Sequence, residues 1–196
     1  MLNKIFPKTG KLTILACTLL LTALFSLTNC GGSSGDNSNY TIVCFGDSIT
    51  EGMSAVTPGV VDKTKSYPAY LQEMVTADVI NSGASGETTT EALARIQTDL
   101  LDKDPDIVII CLGANDFFAS EPEDLDATLA TIKTNIQSMI TQLDTKERIV
   151  FVTKFYNEDS ARDMLADKGI TDAGDQDEII DKCETAFEDI KKHSKN

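Results

Sequence analysis

Ser48 is the side chain whose type and place first suggest chemistry. It follows an apolar, β-rich stretch at 41–45 and stands two residues after Gly46, where a strand gives way to a helix start. Backbone N–H groups are unpaired at a helix start and favour negative charge there. A serine at such a place is also a common N-cap, so the position alone does not establish a nucleophile.

Two later loops contain groups that could act together with this serine. Residues 81–88 contain Gly83 and Gly86, and two glycines three apart allow a tight backbone that presents N–H donors to a ligand. Residues 113–116 contain Asn115, which by itself is an ordinary turn residue. Taken alone, the first of these loops also fits a plain turn or a phosphate cradle.

A serine hydroxyl, a glycine N–H and an asparagine amide together are the parts that acyl transfer needs. The serine attacks a carbonyl carbon, and two or three donors placed in advance stabilise the developing oxyanion. Ligands of parallel α/β folds bind beyond the carboxyl ends of the strands, where all three loops are predicted. The combination therefore favours acyl transfer over the separate structural roles.

The chain resembles the SGNH (GDSL) hydrolase family in three blocks that stand in order over about residues 40–155. The blocks are residues 46–48, residues 81–88 with Gly86 as the matching glycine, and residues 113–116. The resemblance implies a flavodoxin-like three-layer α/β/α fold around a parallel sheet. It also implies hydrolysis of carboxylic esters or thioesters through an acyl-enzyme.

The resemblance assigns roles to particular residues as well. It implies Ser48 as the nucleophile, with oxyanion donors from the N–H groups of Ser48 and Gly86 and from the side chain of Asn115. Asp47 is expected to brace the nucleophile loop. No metal or organic cofactor is implied.

The fourth block of that family, an Asp-x-x-His whose histidine is the general base, is not visible in this sequence. The single histidine, His193, has Ile190 three residues before it and Asp189 four before it. Residues 175–192 have helical periodicity, so we interpret His193 as a solvated residue near a helix end. We therefore expect a sheet that stops before its last strand, a hydrolase domain at 40–196 that is incomplete at its C-terminus, and little activity from the 196-residue chain.

The rest of the sequence alternates between strand and helix patterns. Apolar, β-rich runs predict strands at 41–45, 79–80, 106–112 and 148–155. Pro68 and Pro122 stand in the first turns of predicted helices, and Thr88 with Glu91 fits a capping box. An apolar stripe at helical spacing runs through 125–143. Strands separated by helices of this length predict a parallel sheet with helices on both faces.

Composition limits the classes of function. The chain has 196 residues, 17 of them Lys or Arg and 31 Asp or Glu, for a net charge of −14. That length suits one domain, and so acidic a surface is poorly suited to nucleic acid or anionic headgroups. The five cysteines stand singly, which excludes a CxxC zinc site. Cys44, Cys111 and Cys183 are interpreted as buried small apolar residues, with a Cys44–Cys111 disulfide left open.

The first 29 residues are predicted to be an export signal rather than part of the fold. Three lysines precede an apolar run at 12–27, which is shorter than the about 20 residues of a membrane helix. Residues 27–32 resemble a bacterial lipoprotein signal with Cys30 as the lipidated residue; a plain secretory signal and an uncleaved anchor are the alternatives. Residues 30–39 then form a flexible tether. This organisation predicts a protein of the bacterial cell envelope, either lipid-anchored or periplasmic and secreted.

Three functions are compatible with these features. The leading one is a lipid-tethered serine esterase acting on a small-molecule or glycan ester, with lysophospholipids, short acyl esters and acetylated polysaccharides as the family's substrate classes. The second is a catalytically inactive lipoprotein that binds ligands on the same fold. The third, a phosphate or flavin binder, rests on the Gly- and Thr-rich loop at 83–90, which follows the second strand rather than the first.

Overall fold

A four-stranded parallel sheet forms the centre of the computed structural model, which describes residues 40–193 except 55, 56, 58, 145, 147 and 155, with the backbone alone at 192 and 193. The strands are β1 (Thr41–Gly46), β2 (Asp78–Gly83), β3 (Ile107–Cys111) and β4 (Ile149–Val152). They lie in the order β2-β1-β3-β4, and every neighbouring pair is parallel. All four predicted strands are present; the first and second are longer than predicted, and the third and fourth are shorter.

Seven α-helices flank the sheet in the described part of the chain. They are α1 (Ser48–Glu51), α2 (Tyr67–Met74), α3 (Thr89–Asp99), α4 (Ala114–Ala119), α5 (Leu125–Leu143), α6 (Glu158–Asp167) and α7 (Ala173–His193). Thr88 and Glu91 form the predicted capping box at α3, and Pro68 lies in the first turn of α2. Pro122 begins a single 3-10 turn instead of the α-helix itself, which starts three residues later.

Helices cover both faces of the sheet. Side chains alternate along a strand, and Val43 and Phe45 of β1 join the main core together with residues of α3, α5 and α7. Cys44, between them, faces the opposite side and contacts Tyr67 of α2. The arrangement is the predicted flavodoxin-like α/β/α sandwich.

Helix α5 contributes much of the main core. Its predicted apolar stripe is buried in full, at Leu125, Leu129, Ile132, Ile136, Met139, Ile140 and Leu143. The helix leaves the carboxyl edge of the sheet after β3 and ends before β4, whose first residue pairs with the first residue of β3. It therefore runs from the carboxyl edge to the amino edge.

The cysteines do not form the disulfide that the sequence left open. Cys44, Cys111 and Cys183 form no disulfide within the described residues. Cys44 pairs with Ile109 in the sheet and Gly46 pairs with Cys111, so the two cysteines are diagonal neighbours. A strand spacing of about 4.8 Å and a two-residue offset of about 6.6 Å separate such Cα atoms by about 8 Å, beyond the about 7 Å limit for a disulfide. Burial raises the pKa of Cys44 and of Cys183 to about 12.

The predicted signal, the tether and Cys30 lie outside the described residues. Within the described ranges, no helix has both the length and the apolar character needed to cross a membrane.

Candidate active site

The three predicted loops meet at the carboxyl edge of the sheet, because the strands are parallel and consecutive loops leave from the same side. The loop after β1 is tied to both neighbours. The Asp47 N–H donates to the Cys111 carbonyl at 3.3 Å, and the Ala84 N–H donates to the Gly46 carbonyl at 2.9 Å. The structure thus brings together the segments that carry Ser48, Gly86 and Asn115.

Ser48 is the first residue of α1, and it does not cap that helix. Asp47 is the N-cap, and its Oδ1 accepts a hydrogen bond from the Ile49 N–H at 3.0 Å. The Ser48 side chain is half-buried and has no hydrogen-bond partner among the described residues. The simple N-cap role that the sequence allowed for Ser48 is therefore wrong, and its hydroxyl is left available.

Two glycines let α1 sit directly on the strand ends. A Cβ on Gly46 would lie 2.1 Å from Thr50 Oγ1 and 2.6 Å from the Cys111 carbonyl oxygen. A Cβ on Gly83 would lie 2.2 Å from the Glu51 backbone nitrogen. Any side chain at these two positions would push α1 off the sheet.

A polar cluster beneath α1 holds its carbonyl end in place. Asn81 Nδ2 donates to the Thr50 carbonyl at 2.8 Å and contacts Ser66 Oγ at 3.2 Å. Thr50 Oγ1 and the Tyr67 hydroxyl are 3.2 Å apart, and burial raises the pKa of Tyr67 well above its ordinary value. Sequence reasoning did not find Asn81 or Tyr67 as partners of α1; an amide side chain directly after the predicted strand at 79–80 was the one signal that could have done so.

The loop that carries Gly86 is braced from α1. The Glu51 carboxylate accepts hydrogen bonds from the Ser85 N–H at 3.0 Å and the Ser85 hydroxyl at 2.5 Å, and Lys63 lies 3.5 Å away. These hydrogen bonds from Ser85 lower the pKa of Glu51. Gly86 has a φ of +80°, in the left-handed region that favours glycine. The N–H of Gly86 therefore belongs to a turn whose position is linked to α1.

Asn115 lies in the first turn of α4, which begins after Gly113. Gly113 has a φ of +108° and turns the chain sharply from β3 into the helix. Asn115 is half-buried, and its Nδ2 donates to the Glu87 backbone carbonyl at 2.8 Å. An asparagine amide carries two N–H donors, and among the described residues the second has no partner.

Asp116, the next residue, fixes α4 against α3. It is buried, and its two carboxylate oxygens accept from the Thr89 N–H at 2.8 Å and from the Thr89 hydroxyl at 2.7 Å. Asn135 of α5 donates to the same hydroxyl at 3.0 Å. Asp116 therefore ties the short helix that carries Asn115 to the first turn of α3.

His193 is carried away from this edge. Two ion pairs join α7 to α5: Lys182 pairs with Asp126, and Asp189 pairs with Lys133. In both pairs the α7 residue comes 56 positions after its α5 partner, so the two helices run in the same direction. Both helices therefore lead from the carboxyl edge toward the amino edge. This placement agrees with the prediction that His193 is not the catalytic base.

The position of His193 along α7 can be measured from Glu184, which contacts a residue at the carboxyl edge. Glu184 accepts a hydrogen bond at 2.8 Å from the hydroxyl of Tyr156, which follows β4. His193 is nine residues further along the helix, about 14 Å at 1.5 Å per residue. The Asp189 carboxylate is held by Lys133 at 2.8 Å. Among the described residues, no imidazole lies beside Ser48.

Comparison with known proteins identifies a family whose profile matches most of this chain. The profile of the GDSL-like lipase/acylhydrolase family matches residues 44–193, well over half of the chain. An uncharacterized lipoprotein, YqeF, from Bacillus subtilis (strain 168) is 32% identical over 106 residues, which is 50% of this chain and 39% of that protein. An arylesterase from Vibrio mimicus is 30% identical over 113 residues, 55% of this chain and 50% of that protein. The chain thus spans about half the length, or less, of the curated relatives it matches.

A solved structure supports the fold over a larger share of the chain. The lipase/acylhydrolase from Enterococcus faecalis superposes with a TM-score of 0.51 at 29% identity, covering 78% of this chain and 73% of that one. The residues that the family profile matches, 44–193, include most of the sheet and all three loops at its carboxyl edge. With the family profile matching from residue 44, in β1, to residue 193, the chain belongs to the GDSL-like lipase/acylhydrolase family.

Proposed function

We propose that this chain cleaves carboxylic esters or thioesters with Ser48 as the nucleophile. The oxyanion hole consists of the Ser48 N–H, the Gly86 N–H and the Asn115 side-chain amide. The observation that carries the proposal is that Asp47 caps α1, so that the Ser48 hydroxyl has no hydrogen-bond partner in the part of the chain that the structure describes. Membership of a hydrolase family supports the same reaction class.

The reaction divides into two transfers. The Ser48 Oγ attacks the carbonyl carbon, the bond to the ester oxygen breaks, and the alcohol leaves with the proton that Oγ gives up. Water then attacks the acyl-serine, which releases the carboxylic acid and returns the proton to Ser48. The negative charge on the carbonyl oxygen peaks between these states, and the three donors stabilise it there.

The substrate is an ester met at the bacterial cell envelope. A relative named as a lipoprotein supports lipid attachment at Cys30, and a relative named as an arylesterase supports small ester substrates. Metabolic labelling with an alkyne fatty acid in a bacterial host tests the anchor, because Cys30→Ser should abolish incorporation. Undiminished incorporation in that variant would contradict the assignment of Cys30.

The 196-residue chain is expected to react slowly. A serine hydroxyl is a weak nucleophile at neutral pH without an adjacent base, and no described imidazole lies beside Ser48. A binding protein on the same fold is the alternative function, and it differs from the esterase in forming no covalent bond to Ser48.

A fluorophosphonate probe separates the two functions. Intact-protein mass spectrometry after long incubation should find one adduct on the wild-type protein, and peptide mapping should place it on Ser48. Ser160→Ala, in the exposed first turn of α6, is the control and should be modified like the wild type. Equal modification of Ser48→Ala would remove Ser48 from the mechanism, and saturable ester binding without any adduct would favour the binding protein.

A further inference from the structure

The guanidinium of Arg95, on α3, lies where the first two loops meet. Its Nη2 donates to the Gly46 carbonyl at 3.2 Å and to the Ser82 carbonyl at 3.1 Å. These carbonyls belong to the ends of β1 and β2, and Gly46 stands two residues before Ser48. One side chain therefore joins the segment that leads to the nucleophile to the segment that leads to Gly86.

The same guanidinium also holds Glu87. Arg95 Nε donates to the two carboxylate oxygens at 2.7 and 2.8 Å, and Nη2 lies 2.5 Å from Oε2. The Arg95 and Glu87 side chains are 19% and 12% exposed, so the pair is largely removed from water. Nη1 reaches Asp99 at 3.1 Å, and the guanidinium carbon stacks 4.4 Å from the centre of the Phe45 ring.

Glu87 links this arginine to the third loop. Its backbone carbonyl is the acceptor for Asn115 Nδ2 at 2.8 Å, and its N–H side adjoins Gly86. Fixing the Glu87 side chain therefore fixes the peptide that orients the Asn115 amide. All three donors of the proposed oxyanion hole lie on segments that Arg95 touches directly or through Glu87.

We propose that Arg95 is a positioning residue for the oxyanion hole and acts on Asn115 through Glu87. This inference rests on the proposed function. The planar fork of arginine can serve two carbonyls and a carboxylate at once, whereas a lysine ammonium is a single point charge on a flexible stem. Arg95→Lys should therefore keep the charge and lose the geometry.

Arg148 provides a matched control at the opposite edge of the sheet. Its side chain is 5% exposed, and it also donates to two backbone carbonyls and one carboxylate: Pro105 at 2.9 Å, Leu143 at 2.8 Å and Asp104 at 3.2 Å. It braces the amino edge, away from Ser48. Arg148→Lys thus removes the same kind of contact without touching the proposed site.

The first readout is kinetic and is measured on the full chain with p-nitrophenyl acetate. A displacement of about 1 Å in a catalytic group costs up to about a hundredfold in rate. We expect Arg95→Lys to lower the Ser48-dependent kcat by about tenfold to a hundredfold with little change in KM, and Arg148→Lys to leave both constants unchanged in the folded fraction. Glu87→Gln keeps the backbone carbonyl and should give a smaller fall in kcat. This second variant tests the inference if Arg95→Lys folds poorly.

The second readout needs no turnover. The side-chain amide signals of Asn115 can be assigned in a ¹⁵N spectrum by their loss in Asn115→Ala. Their shifts should move in Arg95→Lys and in Glu87→Gln and stay in place in Arg148→Lys. Unmoved Asn115 signals in both site variants, or equal effects of Arg148→Lys, would overturn the inference. Moved signals without any Ser48-dependent turnover in the wild type would uphold the positioning role and contradict the esterase itself.

Discussion

Asn115 and Glu87 are joined across two loops, with the side-chain amide of the first donating to the backbone carbonyl of the second at 2.8 Å. The bond consumes one N–H of the amide and sets the direction of the other. It also prevents the loops after β2 and β3 from moving independently. An asparagine held in this way can stabilise charge without reorganising during the reaction, which is the condition under which such donors are most effective.

The first prediction concerns Asn115→Ala. Loss of one oxyanion donor costs about 10²–10³ in kcat, or about 3–4 kcal/mol in the transition state, while loss of one half-buried hydrogen bond costs about 1 kcal/mol of stability. We therefore expect a large fall in Ser48-dependent kcat and a small fall in the urea midpoint. Both are measured on the same preparation.

Asn135→Ala is the control for that prediction. Asn135 also donates through Nδ2, to the hydroxyls of Thr89 and Thr90, each at 3.0 Å. It should lose a similar amount of stability and keep its kcat. Equal losses of kcat in the two variants, or a stability loss in Asn115→Ala that accounts for all the lost activity, would reduce Asn115 to a turn residue.

The second prediction concerns Gly46→Ala. The new Cβ would lie 2.1 Å from Thr50 Oγ1 and 2.6 Å from the Cys111 carbonyl, and backbone cannot move aside as a flexible side chain can. Overpacking of this kind costs about 1–3 kcal/mol or more, so the free energy of unfolding should fall by at least that amount. Gly174 lies in the first turn of α7, and the closest contact of a Cβ added there would be the Asp172 side chain at 3.1 Å. Gly174→Ala should therefore be neutral or stabilising. A fully stable Gly46→Ala protein would show that α1 is not seated on the sheet as described.

The third prediction is a pH dependence at Asp47. Burial raises the pKa of this carboxyl above its ordinary value, although its hydrogen bond from Ile49 opposes the shift. In the window between the unfolded pKa, about 3.9, and the raised folded pKa, the native state holds a proton that the unfolded chain has lost. The free energy of unfolding therefore falls as pH rises through that window.

Asp47→Asn isolates this effect from the other acids. Its amide oxygen can still accept from Ile49, and it carries no charge to bury. We expect the variant to be more stable than the wild type at pH 7, with an advantage that shrinks as pH falls toward 4. Urea unfolding at several pH values measures the difference, and an advantage that stayed constant with pH would contradict the raised pKa.

Local patterns in the sequence predicted much of the fold. The strands, the capping box of Thr88 and Glu91 and the stripe of α5 each depend on residues only a few positions apart. The four residues β2 gains over its prediction are Asp78 and the polar end 81–83, and they join the sheet through backbone pairing with β1. Backbone pairing leaves little trace in side-chain type, so that extension could not be predicted.

The three loops of the site could also be found from sequence, but the contacts that brace them could not. Arg95 reaches Gly46 across 49 residues, and Asn81 reaches Thr50 across 31. Each of these residues looks like an ordinary polar position until the fold brings its partner near. The N-cap of α1, in contrast, could have been predicted from the sequence. Aspartate ranks with the best capping residues, and Asp47 directly precedes Ser48.

The last prediction is that His193→Ala leaves the Ser48-dependent rate of the 196-residue chain within about twofold of the wild type. Helix α7 carries residue 193 about 14 Å beyond Glu184, away from the carboxyl edge. Because no described imidazole lies beside the serine, the rate in both proteins should be limited to what an oxyanion hole and binding give, about 10³–10⁴ over water. After subtraction of the rate measured without protein, free imidazole in the buffer should raise both rates equally, while Ser48→Ala should respond to neither change. Turnover that disappeared in His193→Ala would contradict the direction assigned to α7 and make His193 the base.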